Sequence, residues 1–220
     1  PLHEFLPKTR EQLVALAESM DLPLSKVINR VEELEEINPM LGTRGVRLGI
    51  TVPEIYVMQA RAIFEAACLV QKNTGRMIRP EIMIPLVSAN REVELVKARV
   101  DAVASSVQSE TGMQVKYSLG VMVETPRAAL RAHDIAKTVD FMSFGTNDLT
   151  QMTYGLSRDD AGRFMREYVN QEIYDEDPFL TLDIHGVGEL LSIAADRSRS
   201  VKSDILLGLC GEHGGDPESI

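Results

Sequence analysis

The sequence predicts an α/β fold built on a parallel sheet, and three observations carry that expectation. Short apolar runs recur at Val46 to Ile50, Glu81 to Val87, Ser118 to Val123, Phe141 to Phe144 and Ile205 to Leu209. Longer amphipathic stretches separate these runs, whose shortness, flanking turn residues and β-branched content favour buried parallel strands over helices. Charged or reactive side chains then stand at the ends of successive runs: Glu124, Asp148 and Cys210. Strand-helix alternation alone leaves open a doubly wound sheet or a (β/α)8 barrel. A barrel gathers the C-terminal ends of its strands on one rim, where active sites of that fold are assembled, whereas an open sheet would spread them out. The expectation is therefore a TIM-type (β/α)8 barrel, incomplete at both ends, with about five of its eight strands present.

The elements follow in order. Residues 9 to 36 read as two helices, because Leu13, Leu16 and Met20, then Val27, Val31 and Leu34, fall at helical spacing. Glu32, Glu33, Glu35 and Glu36 read as a solvated face. This helical portion, residues 1–38, precedes the barrel portion, residues 39–220. Thr51 to Glu54 matches a capping box with Pro53 at an early position, and Thr125 followed by Pro126 repeats the order of cap and proline. Both helix starts are expected directly after strands. Beyond Asn90, Val93, Val96, Val100, Val103 and Val107 form the apolar stripe of a helix that covers a sheet. Gly155 to Asp160 reads as a loop that leads into a helix start.

Composition narrows the function classes. The chain has 220 residues, 44% hydrophobic and 25% charged, which suits one globular domain with a proper core. A net charge of -10 gives polyanions no general attraction, so nucleic acid is not an expected partner, and any phosphate must be held by a few placed cations. No run approaches the roughly 18 to 20 apolar residues that span a bilayer, and no signal segment opens the chain, so no membrane is expected. Cys68 and Cys210 are the only two cysteines and neither lies in a CxxC spacing, which argues against a disulfide framework or a zinc site. A reducing compartment, the cytoplasm, is expected. The chain opens on Pro1 and stops at Ile220 after a Gly-rich turn, and both ends read as cuts.

Four clusters could carry chemistry. Gly42 to Arg47 places Arg44 and Arg47 among glycines at the start of an expected strand. A guanidinium fork there matches phosphate or carboxylate oxygens, although a turn with two surface arginines would look the same. Glu124 ends an apolar strand and so carries a carboxylate into a poorly hydrated region, a costly burial without a partner. Asp148 does the same at the end of the next strand. Two hard oxygen donors on neighbouring strands suit Mg2+ or Mn2+ with the remaining ligands from water and substrate. The alternative is that each caps a helix or pairs with an arginine such as Arg127. Cys210 lies among glycines beside Glu212 and His213, where a thiol could exchange protons with a ligand; Cys68, beside Ala66 and Ala67, reads as an inert core residue. His213 could be a base or a ligand, although a lone His in a turn is more often a hydrogen-bonding support, and it is left unassigned. His3, His133 and His185 have no neighbours that suggest a site.

The segment from Ser143 to Thr153, with the run Cys210 to Pro217, resembles the phosphoenolpyruvate-utilising enzyme family. Asn38 to Arg47, Pro80 to Val87 and Glu124 to Leu130 extend the likeness over essentially the whole chain. Leu2 to Leu6, Ser157 to Asp160 and Cys210 to Pro217 are more similar to the dikinase branch than to the synthase or sugar-phosphotransferase branches. The resemblance implies a barrel that interconverts pyruvate and phosphoenolpyruvate, receives its phosphoryl group from a phosphohistidine on a separate swivelling domain, and leaves ATP to a third domain. The overall reaction of that branch converts ATP, pyruvate and phosphate to AMP, phosphoenolpyruvate and diphosphate.

By the same likeness, Glu124 and Asp148 would ligate Mg2+ and, with Arg44, Gly145, Thr146 and Asn147, bind the substrate. Arg44 would hold the phosphoryl group, and Cys210 would protonate the enolate carbon or deprotonate the methyl group. A homodimer through the barrel is implied as well. Thr43 departs from the bulkier residue expected between Gly42 and Arg44. The family's further arginines on the first two strands, its last strand and its other two domains fall outside this sequence, so the chain alone is expected not to complete the reaction. The synthase branch, which does not use inorganic phosphate, and a binding or assembly module without turnover remain the alternatives.

Overall fold

A computed structural model describes residues 2–36, 38 and 40–219. Pro39, where the barrel portion is expected to begin, and the terminal residues Pro1 and Ile220 lie outside the described residues. A 3-10 turn at Leu2–Phe5 leads into α1 (Arg10–Ser19) and α2 (Leu24–Leu34), the two helices that the spacing predicts. Thr9 and Gln12 close a capping box on α1, which satisfies amides that the first turn leaves free. The rest of the chain runs α3 (Val46–Thr51), α4 (Pro53–Thr74), β1 (Glu81–Ile84), α5 (Asn90–Thr111), β2 (Ser118–Val123), α6 (Pro126–Leu130), α7 (Ala132–Ile135), β3 (Phe141–Gly145), α8 (Thr146–Tyr154), α9 (Arg158–Ala161), α10 (Met165–Asn170), α11 (Val187–Arg199) and β4 (Leu206–Cys210). Two 3-10 turns, Glu212–Gly215 and Pro217–Ser219, follow β4.

The four strands pair in parallel in the order β1-β2-β3-β4. Sequential parallel neighbours joined by crossovers of one hand place their helices on one face of the sheet. Ile84, Leu119, Val121, Val123, Met142 and Phe144 point to that face and form one buried cluster with Val93, Val96, Val100, Val103 and Val107 of α5 and with Phe64 of α4. Each such side chain, fully buried, stabilises the fold by roughly 1.5–3 kcal/mol before the entropy of ordering is set against it. The opposite face carries Gly120, Met122, Ser143, Gly145, Gly208 and Cys210. Phe141 lies on it too, its ring filling the space that Gly120 leaves, where an added Cβ would meet the ring at 2.3 Å. Strand order and one-sided helix cover are compatible with an arc of a barrel.

Three expectations are corrected. Val46 to Ile50 is not a strand but helix α3, so four strands stand among the described residues where five were expected. The run is short enough to satisfy either period. Packing decides for the helix: Val46 and Gly49 are buried three residues apart, and the guanidinium of Arg99 on α5 donates to the Gly49 carbonyl at 2.8 Å. The Thr51 capping box fails with it, because the Thr51 hydroxyl donates back to the Arg47 carbonyl at 3.0 Å and α4 starts at Pro53 behind Val52, without a side-chain cap. The expected strand from Glu81 to Val87 also stops at Ile84. Pro85 has no N–H for the ladder, and Leu86 turns the chain with φ of 57°.

The remaining starts hold. Thr125 accepts the amide of Ala128 at 3.1 Å, with Pro126 in the first turn of α6. Among the four glutamates, Glu36 departs from the solvated reading: it is half-buried, accepts the amide of Thr43, and gives its own amide to His3 Nδ1 at 3.0 Å. Cys68 is buried in α4, with Sγ 3.9 Å from Thr111 Oγ1, as the inert reading expects.

Gly45 joins α3 to the sheet. Its φ of 56° and ψ of -134° suit glycine alone, and a Cβ there would stand 3.0 Å from both Leu86 Cβ and the Pro85 carbonyl. The next amide, Val46, donates to that carbonyl at 2.9 Å. Gly45→Ala is expected to destabilise the chain by about 1–3 kcal/mol in urea denaturation. An unchanged midpoint would refute this account of the junction.

Candidate active site

Glu124 follows β2 directly and is 8% exposed. Its Oε1 accepts the Leu86 amide at 2.6 Å, which the left-handed turn after β1 aims across the strand ends. Its Oε2 occupies the space over Gly145: a Cβ at that glycine would lie 2.6 Å from the oxygen. Glycine is therefore required by this approach rather than by its backbone angles. Asp148 stands in the first turn of α8, just past β3, where a carboxylate complements the helix N-terminus. Its Oδ1 accepts from Gln151 Nε2 at 3.3 Å.

Arg44 enters from the other side. The Gly45 junction seats its loop on the end of β1, and its Nη1 lies 3.2 Å from Met40 Sδ. Arg47 serves the turn itself, donating to the carbonyls of Leu41 and Gly42 at 3.0 and 3.1 Å. The segment expected to open a strand thus leads into a helix, and of its two arginines it is Arg44 whose charge acts on Glu124. Arg127 donates to the Ser88 carbonyl, so the alternative in which it pairs with Glu124 or Asp148 is not the arrangement found.

Cys210 closes the row. Gly145 pairs with Cys210 across β3 and β4, and the Cys210 Sγ lies 3.4 Å from the Phe144 carbonyl, 3.4 Å from Met122 Sδ and 3.6 Å from Ser143 Oγ. The thiol is half-exposed. Gly211 follows with φ of 103° and approaches Thr146 so closely that a Cβ would meet Oγ1 at 2.5 Å. The Glu212 amide donates to Asn147 Oδ1 at 3.2 Å, which leaves the Asn147 NH2 as the end available to a ligand. Arg158 and Glu212 form an ion pair that ties the start of α9 to the same turn.

Arg44, Glu124, Gly145, Thr146, Asn147, Asp148 and Cys210 therefore meet at the C-terminal edge of one parallel sheet. The Leu86 amide was not foreseeable, because a backbone group leaves no residue-type signal. Ser143 could have been found from strand parity, two residues before Gly145. A hollow of about 590 Å³ lined by Pro53, Val57, Met58, Arg61 and Arg99 lies instead on the outer surface of α4. β4 is the last strand of the sheet among the described residues, and its Leu206, Gly208 and Leu209 are exposed.

Burial pushes the Glu124 carboxyl up to about 7; the Leu86 amide and the charge of Arg44 pull it down, and the neighbouring Asp148 carboxylate adds to the rise. No group of three or more His, Cys, Asp or Glu side chains suited to a metal ion occurs among the described residues. The site thus offers a buried Glu124 carboxyl whose charge the neighbouring Asp148 carboxylate disfavours, and no third protein ligand of those types among the described residues.

The folded-state value lies above the ordinary 4.5, so the native chain keeps a proton that the unfolded chain releases. That contribution to stability is present below 4.5 and is lost as the pH rises through about 7. Urea denaturation without divalent cations is expected to show a loss of roughly 2–3 kcal/mol from this group between those limits, and Glu124→Gln should remove it. The same pH dependence in both proteins would contradict the assignment.

Residues 6–220 match the family described as PEP-utilising enzyme, PEP-binding domain. Over 220 residues the chain is 54% identical to the pyruvate, phosphate dikinase of Rhizobium meliloti (strain 1021), covering 100% of this chain and 24% of that protein. It is 52% identical over 220 residues to the pyruvate, phosphate dikinase of Clostridium symbiosum, again along 100% of this chain and 25% of the relative. It is 49% identical over 222 residues to the chloroplastic pyruvate, phosphate dikinase of Mesembryanthemum crystallinum, with 100% of this chain and 23% of the relative covered. The chain spans about a quarter of the length of the curated relatives that it matches. With the match extending from residue 6 to residue 220 and these relatives aligned along all of it, the chain belongs to the PEP-utilising enzymes, within their PEP-binding domain family.

Proposed function

We propose that this chain is part of a dikinase barrel that binds pyruvate and phosphoenolpyruvate and exchanges a phosphoryl group with a phosphohistidine on another domain. The observation that carries this reading is the buried Glu124 beside Asp148, in register with the Cys210 thiol and faced by Arg44. The dikinase names of the relatives support the branch, and their greater length supports the reading that a phosphohistidine domain and an ATP-binding domain act with this one. On this reading residues 1–38 are a helical insertion, residues 39–220 are barrel, and further strands complete a closed (β/α)8 structure. The working enzyme is a cytoplasmic homodimer, and the chain by itself does not turn over substrate.

The donor set fits Mg2+. Two carboxylates, one at the end of β2 and one in the first turn of α8, the first buried and raised toward neutrality by burial and by the second, are what a hard cation would pair. Glu124 and Asp148 would hold it, with water and the ligand's own oxygens in the remaining positions. When bound, it would offset the negative charge that develops on the ligand oxygens.

The chain's residues supply the rest. Asn147 presents its NH2 group to the ligand because Glu212 fixes the other end of the amide. Gly145 leaves room for the carboxylate and for close approach of the ligand to the sheet. Arg44 holds the phosphoryl oxygens as a two-pronged donor. In the forward direction Cys210, as thiolate, takes a proton from the methyl group of pyruvate. The enolate oxygen then bonds to phosphorus as the bond from phosphorus to the histidine nitrogen breaks, and the nitrogen keeps the electron pair. In reverse, the thiol returns the proton to the methylene carbon.

Calorimetric titration with oxalate, which mimics the enolate of pyruvate, tests the site on this chain. Binding is expected to need Mg2+ and to weaken about 100-fold or more in Asp148→Ala. Binding of equal strength without Mg2+ or in the variant would overturn the metal assignment, and no binding under any condition would overturn the claim that the site is formed here. Cys210→Ala is expected to leave oxalate affinity within about two-fold, since the thiol is not required to hold the ligand. In an enzyme carrying all three domains, the same change should slow solvent exchange of the pyruvate methyl protons by about 100-fold or more. Exchange at the parent rate would remove Cys210 from the proton path.

A further inference from the structure

The geometry points to His213 as a positioning residue: bridging the Pro178 carbonyl and the Thr146 hydroxyl, it holds the turn that carries Cys210 against the start of α8. His213 lies in the 3-10 turn after β4 and is 1% exposed. A buried imidazole must find partners for both ring nitrogens or lose the free energy of its water contacts. Both are found: Nε2 lies 3.0 Å from the Pro178 carbonyl and Nδ1 lies 2.8 Å from Thr146 Oγ1.

The chemistry of these partners fixes their roles. A carbonyl oxygen only accepts, so Nε2 carries hydrogen. In the neutral ring Nδ1 is then the acceptor and the Thr146 hydroxyl the donor. That hydroxyl, itself on a fully buried residue, also lies 3.2 Å from the Cys210 carbonyl. Its one hydrogen cannot serve both neighbours fully, and the shorter contact is the one to His213. Gly211 is the point of closest approach, since a Cβ there would meet Thr146 Oγ1 at 2.5 Å and Asn147 Oδ1 at 3.2 Å. The segment from Cys210 to His213 is thus fastened at both ends to Thr146 and, through the Glu212 amide, to Asn147, and His213 adds a link to the Pro178 segment.

Release of His213 from Thr146 frees the turn, and the thiol at its base loses the fixed setting among Phe144, Met122 and Ser143. The inference deepens the proposed role of Cys210 and rests on that reading for its catalytic meaning. The contact itself is testable without turnover. Alkylation of Cys210 by iodoacetamide can be followed in a Cys68→Ala background, so that one thiol reports.

His213→Asn keeps a polar group near the position of Nδ1, within reach of Thr146, whereas His213→Gln places its amide near the position of Nε2 and His213→Leu keeps only bulk. Alkylation is expected to stay within about two-fold of the parent in Asn and to rise about ten-fold in Gln and Leu, the scale of one lost hydrogen bond. Thr146→Val, which leaves the histidine in place, should give the same rise, and Gln combined with Val should add nothing further. Equal rates in Asn, Gln and Leu, or a parent-like rate in Thr146→Val, would overturn the proposal, because a residue that only fills space would not separate them. Full methyl-proton exchange by a Cys210→Ala enzyme, alongside the expected alkylation pattern, would sink the catalytic reading of Cys210 and leave the positioning intact.

Discussion

The parallel register of β2, β3 and β4 is the constraint on which the site depends. Val123 pairs with Phe144 and Gly145 with Cys210, so Glu124, Gly145 and Cys210 fall in one row across the sheet. Side chains alternate along each strand, which sends Val123 and Phe144 to the helix-covered core and their successors to the other face. A slip of one residue in any of the three strands would exchange reactive groups for core residues. The apolar face therefore does more than stabilise the sheet. It fixes which side chains stand at the rim.

Within that row, space decides what chemistry is possible. Gly145 is the vacancy into which the Glu124 carboxylate leans, and Gly211 is the vacancy into which Thr146 leans. Each glycine lets a polar group come closer than any side chain would permit. The carboxylate so placed is buried, receives one backbone amide and stands near a second carboxylate. Such a group is unfavourable alone and favourable beside a cation, so the proposed site has its electrostatic strain before ligand arrives.

The stretch between α8 and α11, which includes the short helices α9 and α10, supplies support rather than chemistry. Its Pro178 carbonyl meets His213, its Arg158 meets Glu212, and its aromatic residues Phe164, Tyr168 and Tyr174, with Tyr154 at the end of α8, pack in a row edge to face or tilted. Ala161, Met165 and Phe179 form a second small core beneath it. The segment thus carries its own packing and can brace the Cys210 turn without drawing on the core under the sheet.

Much of this was legible in the sequence because it follows from local periodicity. The valine stripe of α5, the strand from Ser118 to Val123 with Glu124 at its end, and the Thr125 cap are each set by residues within a turn or two of one another. Glu124 and Cys210 could be placed at strand ends for the same reason, whereas Asp148 stands beyond its strand, in the first turn of α8. Helix or strand at Val46 to Ile50 could not be read, because the run fits both periods and only burial of Val46 and Gly49 against distant residues chooses. Likewise, the Leu86 amide reaches Glu124 across 38 positions of sequence, and His213 finds Thr146 across 67. The sequence by itself determined which residues end the strands and which faces they keep dry. Only the tertiary structure decided which of those residues touch, because hydrogen bonds between groups far apart in the chain leave no period behind them.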